Sequence, residues 1–493
     1  MNKEDIISSD KNTTSRRQFL TQTAAALAGA SALTGLEAAQ VPKPVAKAAG
    51  RVLGANDRIN VAFIGNGMQW QGLLRGFQAR KDRQGDIEFV ACCDVWEPRL
   101  KNAQEKTKAE KTYRDYREVL QRPDIDGVVV AVPDHWHFAI ARDACLAGKD
   151  VYLEKPMVRT IDQAAQLNDI VNQTKRILQV GGSGPASGLN WKINEYVKAG
   201  KMGKVLWGLI SYNRNTDTGM WDYPIPGIGE TPWPNAEFNE KTCDWNTWQG
   251  STRKRPLSAE RYFRWRKFWD YATGNAGDLL YHQLGTMSTM IGFDFPTQAV
   301  GAGGIFVQKD REVPDTYMTM VEYPGEYCVN MISCMGNAES VPITVYGNWG
   351  TLRLGGPGAA AGQGQGAMGD PGRGGDQAPT RGGRTGRGGR GRATATITAE
   401  QQFVNKFKEA NDGKTQVIVE ADEQFDSLGE NWLNCMRTRE SPVYNVLRGY
   451  QVLVAIMLGV DSYREGRALA FDPATKRVLP KPPTRKMYPP AEA

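Results

Sequence analysis

The sequence predicts an α/β protein in which a doubly wound parallel sheet of the Rossmann type precedes an α+β domain with a largely antiparallel sheet. Three observations lead to this prediction. Apolar strand patterns alternate with helical patterns over about 120 residues from Arg58. A glycine pair follows the first strand directly, as in nucleotide-binding sheets. After Gly181 the helical alternation ends, and β-type segments rich in Trp and Tyr take over.

Composition supports a folded chain and excludes several classes of protein. The 493 residues are 40% hydrophobic and include 13 Trp, which is ample core material for two or three domains. Of the net charge of +7, residues 1–50 carry +2 and residues 355–392 carry +4, so the remainder has no basic surface for nucleic acid. The seven Cys lack zinc-type spacing, and neither a disulfide framework nor a metal site is expected.

Residues 1–50 are interpreted as a signal and linker. Ser15-Arg16-Arg17-Gln18-Phe19-Leu20 precedes a charge-free segment up to Leu36, a pattern that resembles the twin-arginine (Tat) export signal. The alternative is an ordinary basic N-terminus before a membrane anchor, but the segment is short and rich in Thr and Ser. A periplasmic or extracellular protein without a stable membrane anchor, carried by the Tat machinery, is expected.

Five strands are predicted in the first domain, residues 51–180. The first forms a near-continuous apolar run, which is typical of a strand buried on both faces. The third is stopped by Pro133, and a helical pattern over Phe138–Ala147 follows it. The five predicted strands are Arg58–Gly65, Ile87–Cys93, Val128–Val132, Asp150–Leu153 and Ile177–Val180.

The second domain, residues 181–480, is predicted to hold the antiparallel sheet. Its strand candidates are Val205–Tyr212, Tyr317–Tyr323, Tyr327–Cys334 and Ile343–Tyr346, and two helices are expected within Phe425–Gly466. Residues 355–392 contain 16 Gly in 38 positions and are expected to form a disordered insertion. Their Arg-Gly-Gly repeats are also typical of RNA-binding segments, although no aromatic residue interleaves the arginines.

A dinucleotide site is predicted where the first two strands end. Gly65, Asn66 and Gly67 lie between a strand and a helix, where backbone amides can approach a pyrophosphate. Asp94 ends the next strand, where a carboxylate can accept both ribose hydroxyls and repel a 2′-phosphate. NAD is therefore favoured over NADP, although Arg99 lies near. Trp70 occupies the position of the third glycine of the usual motif, which predicts an altered turn.

Four motifs together resemble the glucose–fructose oxidoreductase/inositol dehydrogenase/MocA (Gfo/Idh/MocA) family, in particular its Tat-exported bacterial branch. They are the strand–turn at 65–67, the Val130–His137 stretch, Glu154-Lys155-Pro156, and the Asp-x-x-x-His of Asp278 and His282. The resemblance covers roughly residues 58–354 and 425–470. It implies an N-terminal Rossmann domain, an open C-terminal sheet that faces the substrate, and oxidation or reduction of a sugar or cyclitol carbon. A tightly bound cofactor and a homo-oligomer are expected as well.

The predicted site residues divide into two groups. Lys155, Asp278 and His282 are the catalytic candidates, with Asp278 orienting the His282 imidazole from one helical turn away and Lys155 polarising the substrate oxygen. The alternatives are a plain turn lysine and a surface i,i+4 pair. His135 and His137 are interpreted as positioning groups or parts of a turn. The predicted cofactor-binding residues are Gly65, Asn66, Gly67, Asp94, Pro133, His135, His137, Glu154 and Lys155.

The function expected from these residues is an exported NAD(P)-dependent oxidoreductase that acts on a sugar, glycoside or cyclitol hydroxyl by hydride transfer. One alternative is an NAD-dependent glycosidase that works by transient oxidation and elimination. Another is a sugar- or cofactor-binding protein without turnover. Eight of the 13 Trp fall within residues 191–270, where they could face a carbohydrate or fill a core or an interface.

Overall fold

A computed structural model describes residues 57–182, 184–226, 236–355, 394–421 and 426–480. The predicted signal at 1–50 and nearly all of the predicted insertion lie outside the described residues. In the described part of the chain, no helix has the length and apolarity needed to cross a bilayer. The same ranges contain no cluster of His, Cys, Asp and Glu side chains that could hold a metal ion.

The N-terminal sheet has six parallel strands in the order β3-β2-β1-β4-β5-β6, which confirms the predicted Rossmann-type fold. Every residue of β4 and β5 is buried, as expected for central strands covered on both faces. The edge strand β3 was not predicted, because three residues carry too little pattern. The strands are β1 (Ile59–Ile64), β2 (Ile87–Cys93), β3 (Lys111–Tyr113), β4 (Gly127–Val130), β5 (Asp150–Leu153) and β6 (Leu178–Val180).

Five helices connect these strands: α1 (Met68–Gln84), α2 (Glu97–Thr107), α3 (Tyr116–Gln121), α4 (Asp134–Leu146) and α5 (Ile161–Thr174). The predicted end of the third strand at Val132 is wrong, since β4 ends at Val130 and Pro133 caps α4. His135 and His137 therefore lie in the first turn of α4 and do not end a strand. Proline has no N–H for the sheet ladder and fits the start of a helix.

The C-terminal sheet has ten strands in the order β14-β13-β12-β11-β7-β10-β9-β8-β15-β16. Only the β7–β10 pair is parallel among the neighbours of this sheet, so the predicted antiparallel character is confirmed. The strands are β7 (Val205–Ser211), β8 (Gln298–Gly304), β9 (Thr316–Tyr323), β10 (Tyr327–Cys334), β11 (Thr344–Gly347), β12 (Gly350–Leu354), β13 (Thr394–Ala399), β14 (Gln416–Glu420), β15 (Leu469–Asp472) and β16 (Arg477–Leu479).

The helices of the C-terminal half include a π-helical turn at Ala276–Leu280, which leads directly into α9. The two helices predicted near the C-terminus are present. The helices are α6 (Gly188–Lys198), α7 (Trp245–Gln249), α8 (Ala259–Phe263), α9 (Tyr281–Ile291), α10 (Val404–Ala410), α11 (Leu428–Thr438) and α12 (Val446–Glu465).

Helix α12 lies between the two sheets. A Cβ placed on Gly449 would lie 2.8 Å from a methyl group of Val180 in β6, and one on Gly459 would lie 2.6 Å from the Tyr317 hydroxyl in β9. These two glycines let one helix approach both sheets closely. Helix α11 packs on the first domain through Trp432, whose ring centre lies 5.9 Å from that of Phe77. The last helices thus join the two halves into one core.

Candidate active site

The loop between β1 and α1 is shaped by its glycines. Gly65 has a φ of 85°, and a Cβ there would lie 2.6 Å from the carbonyl oxygen of Ala131. Gly67 caps α1 without any side-chain hydrogen bond, and no acidic residue lies in the first turn. The first N–H groups of this helix are thus oriented toward the loop with their partial positive charge.

The Asn66 side chain in this loop lacks hydrogen-bond partners among the described residues. Its amide Nδ2 and Oδ1 atoms are both buried, with no hydrogen-bond partner in the described residues. Buried amides of this kind are costly unless a ligand satisfies them. Together with the uncapped start of α1, they fit the pyrophosphate of a dinucleotide, with Gly65, Asn66 and Gly67 as its cradle.

Asp94 lies beside this loop and braces it. One carboxylate oxygen accepts a hydrogen bond from the Asn66 N–H at 2.7 Å, and the other accepts one from the Trp96 N–H at 3.0 Å. Burial raises the pKa of Asp94, against the opposing charge of Arg99. The predicted juxtaposition of Asp94 with the glycine loop is therefore present in the structure.

Residues 236–271 form a segment, here named the aromatic strap, that crosses the end of β2. The Asp244 N–H donates to the Val95 carbonyl at 2.9 Å, and the Glu97 N–H donates to the Thr242 carbonyl at 2.9 Å. The strap buries Trp96 in a separate apolar cluster, and the Arg99 guanidinium lies 5.0 Å from the Tyr262 ring centre. This cluster includes Trp245, Trp248, Tyr262, Phe263, Phe268 and Tyr271.

The histidines of α4 serve as connections between segments. The His137 ring nitrogens lie 2.6 Å from the Pro156 carbonyl oxygen and 2.9 Å from that of Val132. His135 Nε2 lies 2.8 Å from the Trp248 carbonyl oxygen in the strap. Burial lowers the pKa of His135 to about 3, so that its ring is neutral near pH 7. His137 thus ties the loop after β4 to the turn after β5, and His135 ties α4 to the strap.

Glu154 connects the end of β5 to α1. Its Oε1 accepts a hydrogen bond from Gln69 Nε2 at 2.9 Å, and its Oε2 accepts one from the Lys155 N–H at 3.1 Å. The strand ends that carry Gly65 and Glu154 lie at the carboxyl edge of the parallel sheet, where open α/β sheets bind ligands. No sequence pattern pointed to Gln69.

Lys155 and Asp278 form the centre of the site. The Lys155 ammonium donates to the Asp278 carbonyl oxygen at 2.8 Å and to its carboxylate Oδ1 at 2.9 Å. Arg266 Nε donates to the same Oδ1 at 3.1 Å. Burial opposes ionisation of Asp278, but Arg266 and Lys155 outweigh it and hold the pKa of that carboxyl well below its usual range. Asp278 is therefore an ionised anchor for two cations.

The predicted pairing of Asp278 with His282 is wrong in the described structure. Asp278 lies in the π-helical turn, whereas His282 lies in the first turn of α9. A π turn holds more residues than an α turn, so positions four apart are no longer stacked on one face. The Asp278 carboxylate is taken by Lys155 and Arg266, and His282 Nδ1 is buried without a partner among the described residues.

His282 nevertheless lies in the same site. Its pKa is lowered to about 3, first by burial and then by the charge of Lys155. The Tyr212 ring centre lies 6.3 Å from that of His282, and the Tyr212 hydroxyl accepts a hydrogen bond from Arg214 at 2.7 Å. Sequence reasoning missed Arg266, Tyr212 and Arg214, because no motif links these positions to residue 278 or 282.

Two family models match the chain. One, described as an oxidoreductase family with an NAD-binding Rossmann fold, matches residues 59–182, and its companion, the C-terminal alpha/beta domain of the same Gfo/Idh/MocA oxidoreductases, matches residues 242–471. These ranges contain every predicted cofactor-binding and catalytic residue.

Curated relatives match about half of the chain. A glycosyl hydrolase family 109 protein 2 from Shewanella sp. (strain ANA-3) is 30% identical over 249 residues, which are 47% of this chain and 50% of the relative. An alpha-N-acetylgalactosaminidase from Shewanella oneidensis is 26% identical over 255 residues, 48% of this chain and 51% of the relative. The chain thus spans about half the length of the curated relatives it matches.

Solved structures share the fold at low identity. The WlbA dehydrogenase from Chromobacterium violaceum, in complex with NADH and UDP-GlcNAcA, has a TM-score of 0.57 at 16% identity and covers 86% of this chain and 98% of its own. The aldose-aldose oxidoreductase from Caulobacter crescentus has a TM-score of 0.56 at 17% identity, with 84% of this chain and 100% of its own covered. Both likenesses concern the two-domain architecture.

Proposed function

The chain belongs to the Gfo/Idh/MocA family of NAD-binding oxidoreductases, and from that premise we propose that it transfers hydride between NAD and a hydroxyl-bearing carbon of a sugar, glycoside or cyclitol. One observation carries the proposal. The Lys155 ammonium, held on Asp278, lies with a neutral, partly unsatisfied His282 in one site at the carboxyl edge of the nucleotide-binding sheet.

The chemistry asks for a base and a hydrogen-bond donor. Oxidation of an alcohol removes a hydride, for which bound NAD supplies the acceptor, and a hydroxyl proton, which needs a base within reach. Nδ1 of His282 is buried, neutral and unpaired in the described residues, and we assign the base role to it. Lys155 uses two of its three N–H donors on Asp278, which leaves the third for the substrate oxygen.

Asp278 and Arg266 act as positioning residues in this proposal. The Asp278 carboxylate fixes the Lys155 ammonium, and Arg266 holds that carboxylate from the other side. The sequence predicts that Asp278 orients the His282 imidazole. In this proposal the packing of His282 on α9 orients the ring instead.

The proposed cofactor is NAD, retained through many turnovers. Gly65, Asn66 and Gly67 would hold the pyrophosphate, and Asp94 the ribose hydroxyls. The aromatic strap, fixed to the residues that follow Asp94 by backbone hydrogen bonds, supports slow release. Mass spectrometry of the purified full chain should detect nucleotide carried through purification, and an empty protein would contradict retention.

The central experiment is a sugar and cyclitol panel with nicotinamide absorbance as the readout. At least one compound should reduce the cofactor, and His282→Ala should lower that rate by about 10²–10⁴-fold with cofactor still bound. Ser288→Ala, a buried change on the same helix, serves as the control and should leave the rate near wild type. If His282→Ala keeps the wild-type turnover rate, another residue is the base. If compounds of the panel bind but none of them reduces the cofactor, a sugar-binding protein without turnover is favoured.

A second candidate is an NAD-dependent glycosidase. The observation that favours it is the name of several curated relatives, glycosyl hydrolase family 109. In that reaction the sugar is oxidised transiently, the aglycone is eliminated as its alcohol, water adds to the unsaturated ketone, and the hydride returns. Chromogenic glycosides, including an α-N-acetylgalactosaminide, distinguish the candidates, because the glycosidase releases aglycone without net cofactor reduction.

We also propose export by the Tat route into the periplasm or beyond. The support is the Ser15–Leu20 motif with its twin Arg16-Arg17 and the weakly apolar segment behind it. Changing both arginines to lysine should leave the precursor in the cytoplasm, whereas Lys11→Arg beside the motif should not. Undiminished export of the double variant, measured by cell fractionation, would refute the proposal.

A further inference from the structure

The segment after β7 brings two side chains toward His282. The Tyr212 N–H donates to the Ile332 carbonyl at 2.9 Å and the Arg214 N–H to the Cys334 carbonyl at 2.8 Å, so the chain stays extended along β10. Alternate residues of an extended chain share one face, and Tyr212 and Arg214 are two apart. Asn213, on the opposite side, bonds the Cys334 N–H through its Oδ1 at 2.8 Å.

Arg214 is a half-buried cation with few partners. Its guanidinium donates to the Tyr212 hydroxyl at 2.7 Å and lies 5.0 Å from the Tyr212 ring centre. Within the described ranges, no carboxylate lies within ion-pair distance of it. Buried arginines are normally matched by a carboxylate, because the fork of the guanidinium has donors for both oxygens.

The charges around His282 leave an excess of positive charge. Lys155 and Arg266 share the Asp278 carboxylate, and Arg214 adds a third cation. Asp134 also lies near Lys155 and Arg266, but it accepts hydrogen bonds from the Thr273 N–H and hydroxyl, and burial raises its pKa, which weakens it as a counter-charge. Asp278 is thus the ionised carboxylate near three cations. Lys155 and Arg266 already bond to it, and Arg214 does not.

We propose that Arg214 is the docking site for a carboxylate on the substrate, so that the preferred substrate of the function proposed above is a sugar acid such as a uronate. A carboxylate matches the guanidinium fork in two hydrogen bonds and supplies the charge that the site lacks. The Tyr212 hydroxyl holds the guanidinium in place beside His282. This inference rests on the proposed function and narrows its substrate class.

The same docking would aid the base. His282 resists a proton in the free protein, because it is buried and close to Lys155 and Arg214. A bound carboxylate beside Arg214 adds negative charge at short range and favours the protonated imidazole. The substrate would then bring the proton affinity of His282 closer to the value that proton transfer requires.

The test compares matched aldoses and uronates on the purified full chain with its retained cofactor. Calorimetric titration with D-glucose, D-galactose, D-glucuronate, D-galacturonate and D-glucose 6-phosphate should give at least one uronate that binds 10-fold or more tightly than its parent sugar. Arg214→Met should abolish that preference, a loss of about 10- to 100-fold, and Arg214→Lys should keep part of it. Arg353→Met, an exposed arginine of β12, is the control and should change nothing.

Three results would overturn the inference: no preference for any uronate, a preference that survives Arg214→Met, or a preference for the phosphate alone. Arg214→Lys keeps the test usable if Arg214→Met fails to fold. Nicotinamide absorbance and aglycone release separate this inference from the proposed function. Turnover of neutral sugars without a uronate preference defeats the inference only, whereas Arg214-dependent uronate binding without any chemistry defeats the proposed function only.

Discussion

Asp278 holds two cations in a site with little access to solvent. Its Oδ1 receives Lys155 at 2.9 Å and Arg266 at 3.1 Å, and the side chains of the three residues are at most 22% exposed. Removing one member of a buried ionic group leaves the other charges without compensation, and that penalty exceeds the worth of the pair itself. Asp278 should therefore matter for stability as well as for turnover.

We predict that Asp278→Asn lowers the free energy of unfolding by about 3 kcal/mol, because Lys155 and Arg266 lose their counter-charge. Urea denaturation at pH 7 measures this. The matched control is Glu97→Gln, which breaks an exposed i,i+4 pair with Lys101 and should leave the free energy of unfolding nearly unchanged. Equal, small effects of the two variants would contradict the buried ionic group.

The histidines predict how stability changes with pH. His135 and His282 have pKa values of about 3 when folded, against about 6.5 when unfolded. Between those values the unfolded chain binds more protons than the folded one. Stability from these groups is therefore complete above about pH 6.5 and is lost as the pH falls toward 3.

His282→Gln should flatten this dependence. Each such histidine contributes a slope of up to about 1.4 kcal/mol per pH unit within the window. Urea denaturation of wild type and variant from pH 8 to pH 4 measures the difference, and His135→Gln should flatten the curve by a similar amount. An unchanged slope in both variants would mean that the folded protein accepts these protons.

At the scale of elements, the π-helical turn at Ala276–Leu280 decides where the catalytic candidates point. Gly277 lies inside it, and a Cβ there would lie 1.9 Å from the Thr273 hydroxyl oxygen. That hydroxyl donates to Asp134 at 2.9 Å, so it cannot move aside without breaking a buried hydrogen bond. The turn thus depends on a position that has no room for a side chain.

Gly277→Ala should destabilise the protein by about 1–3 kcal/mol and lower turnover, because the added methyl group displaces the turn that carries Asp278. Gly76→Ala is the control: Gly76 lies in α1 with open space around it, and alanine there should be neutral or stabilising by up to about 1 kcal/mol. Thermal denaturation and sugar-dependent cofactor reduction give the two readouts. A tolerated Gly277→Ala would show that the turn can adjust.

At the scale of the whole molecule, strands β12 and β13 form a hairpin that flanks residues 356–393. Leu354 pairs with Ala395, and the Gly355 N–H donates to the Thr394 carbonyl at 2.9 Å. Hydrogen bonds therefore join the end of β12 directly to the start of β13.

Replacing residues 356–393 by a linker of about five Gly and Ser residues should leave the melting temperature and turnover near wild type, because the ends of β12 and β13 are adjacent and loop closure costs little. Circular dichroism melting and the cofactor-reduction assay measure both. Loss of folding in the shortened chain would contradict the predicted disorder of the insertion.

The sequence by itself determined the features that depend on local pattern. The apolar run of β1, the Gly65–Gly67 turn and the alternation of strands and helices predicted a nucleotide-binding sheet, since burial on both faces and positive φ leave direct traces in residue type. The strand Tyr327–Cys334 and the two helices within Phe425–Gly466 were likewise predicted from local pattern. Short edge strands such as β3 leave no such trace.

Only the tertiary structure decided which charges meet. Asp278 and His282 are four residues apart and suggested a pair, but the π-helical turn separates them and the carboxylate goes to Lys155, 123 positions away in sequence. Arg266 and Arg214 join the site from other elements for the same reason. Electrostatic partners depend on distance in space, and spacing in sequence predicts that distance only where the backbone is regular.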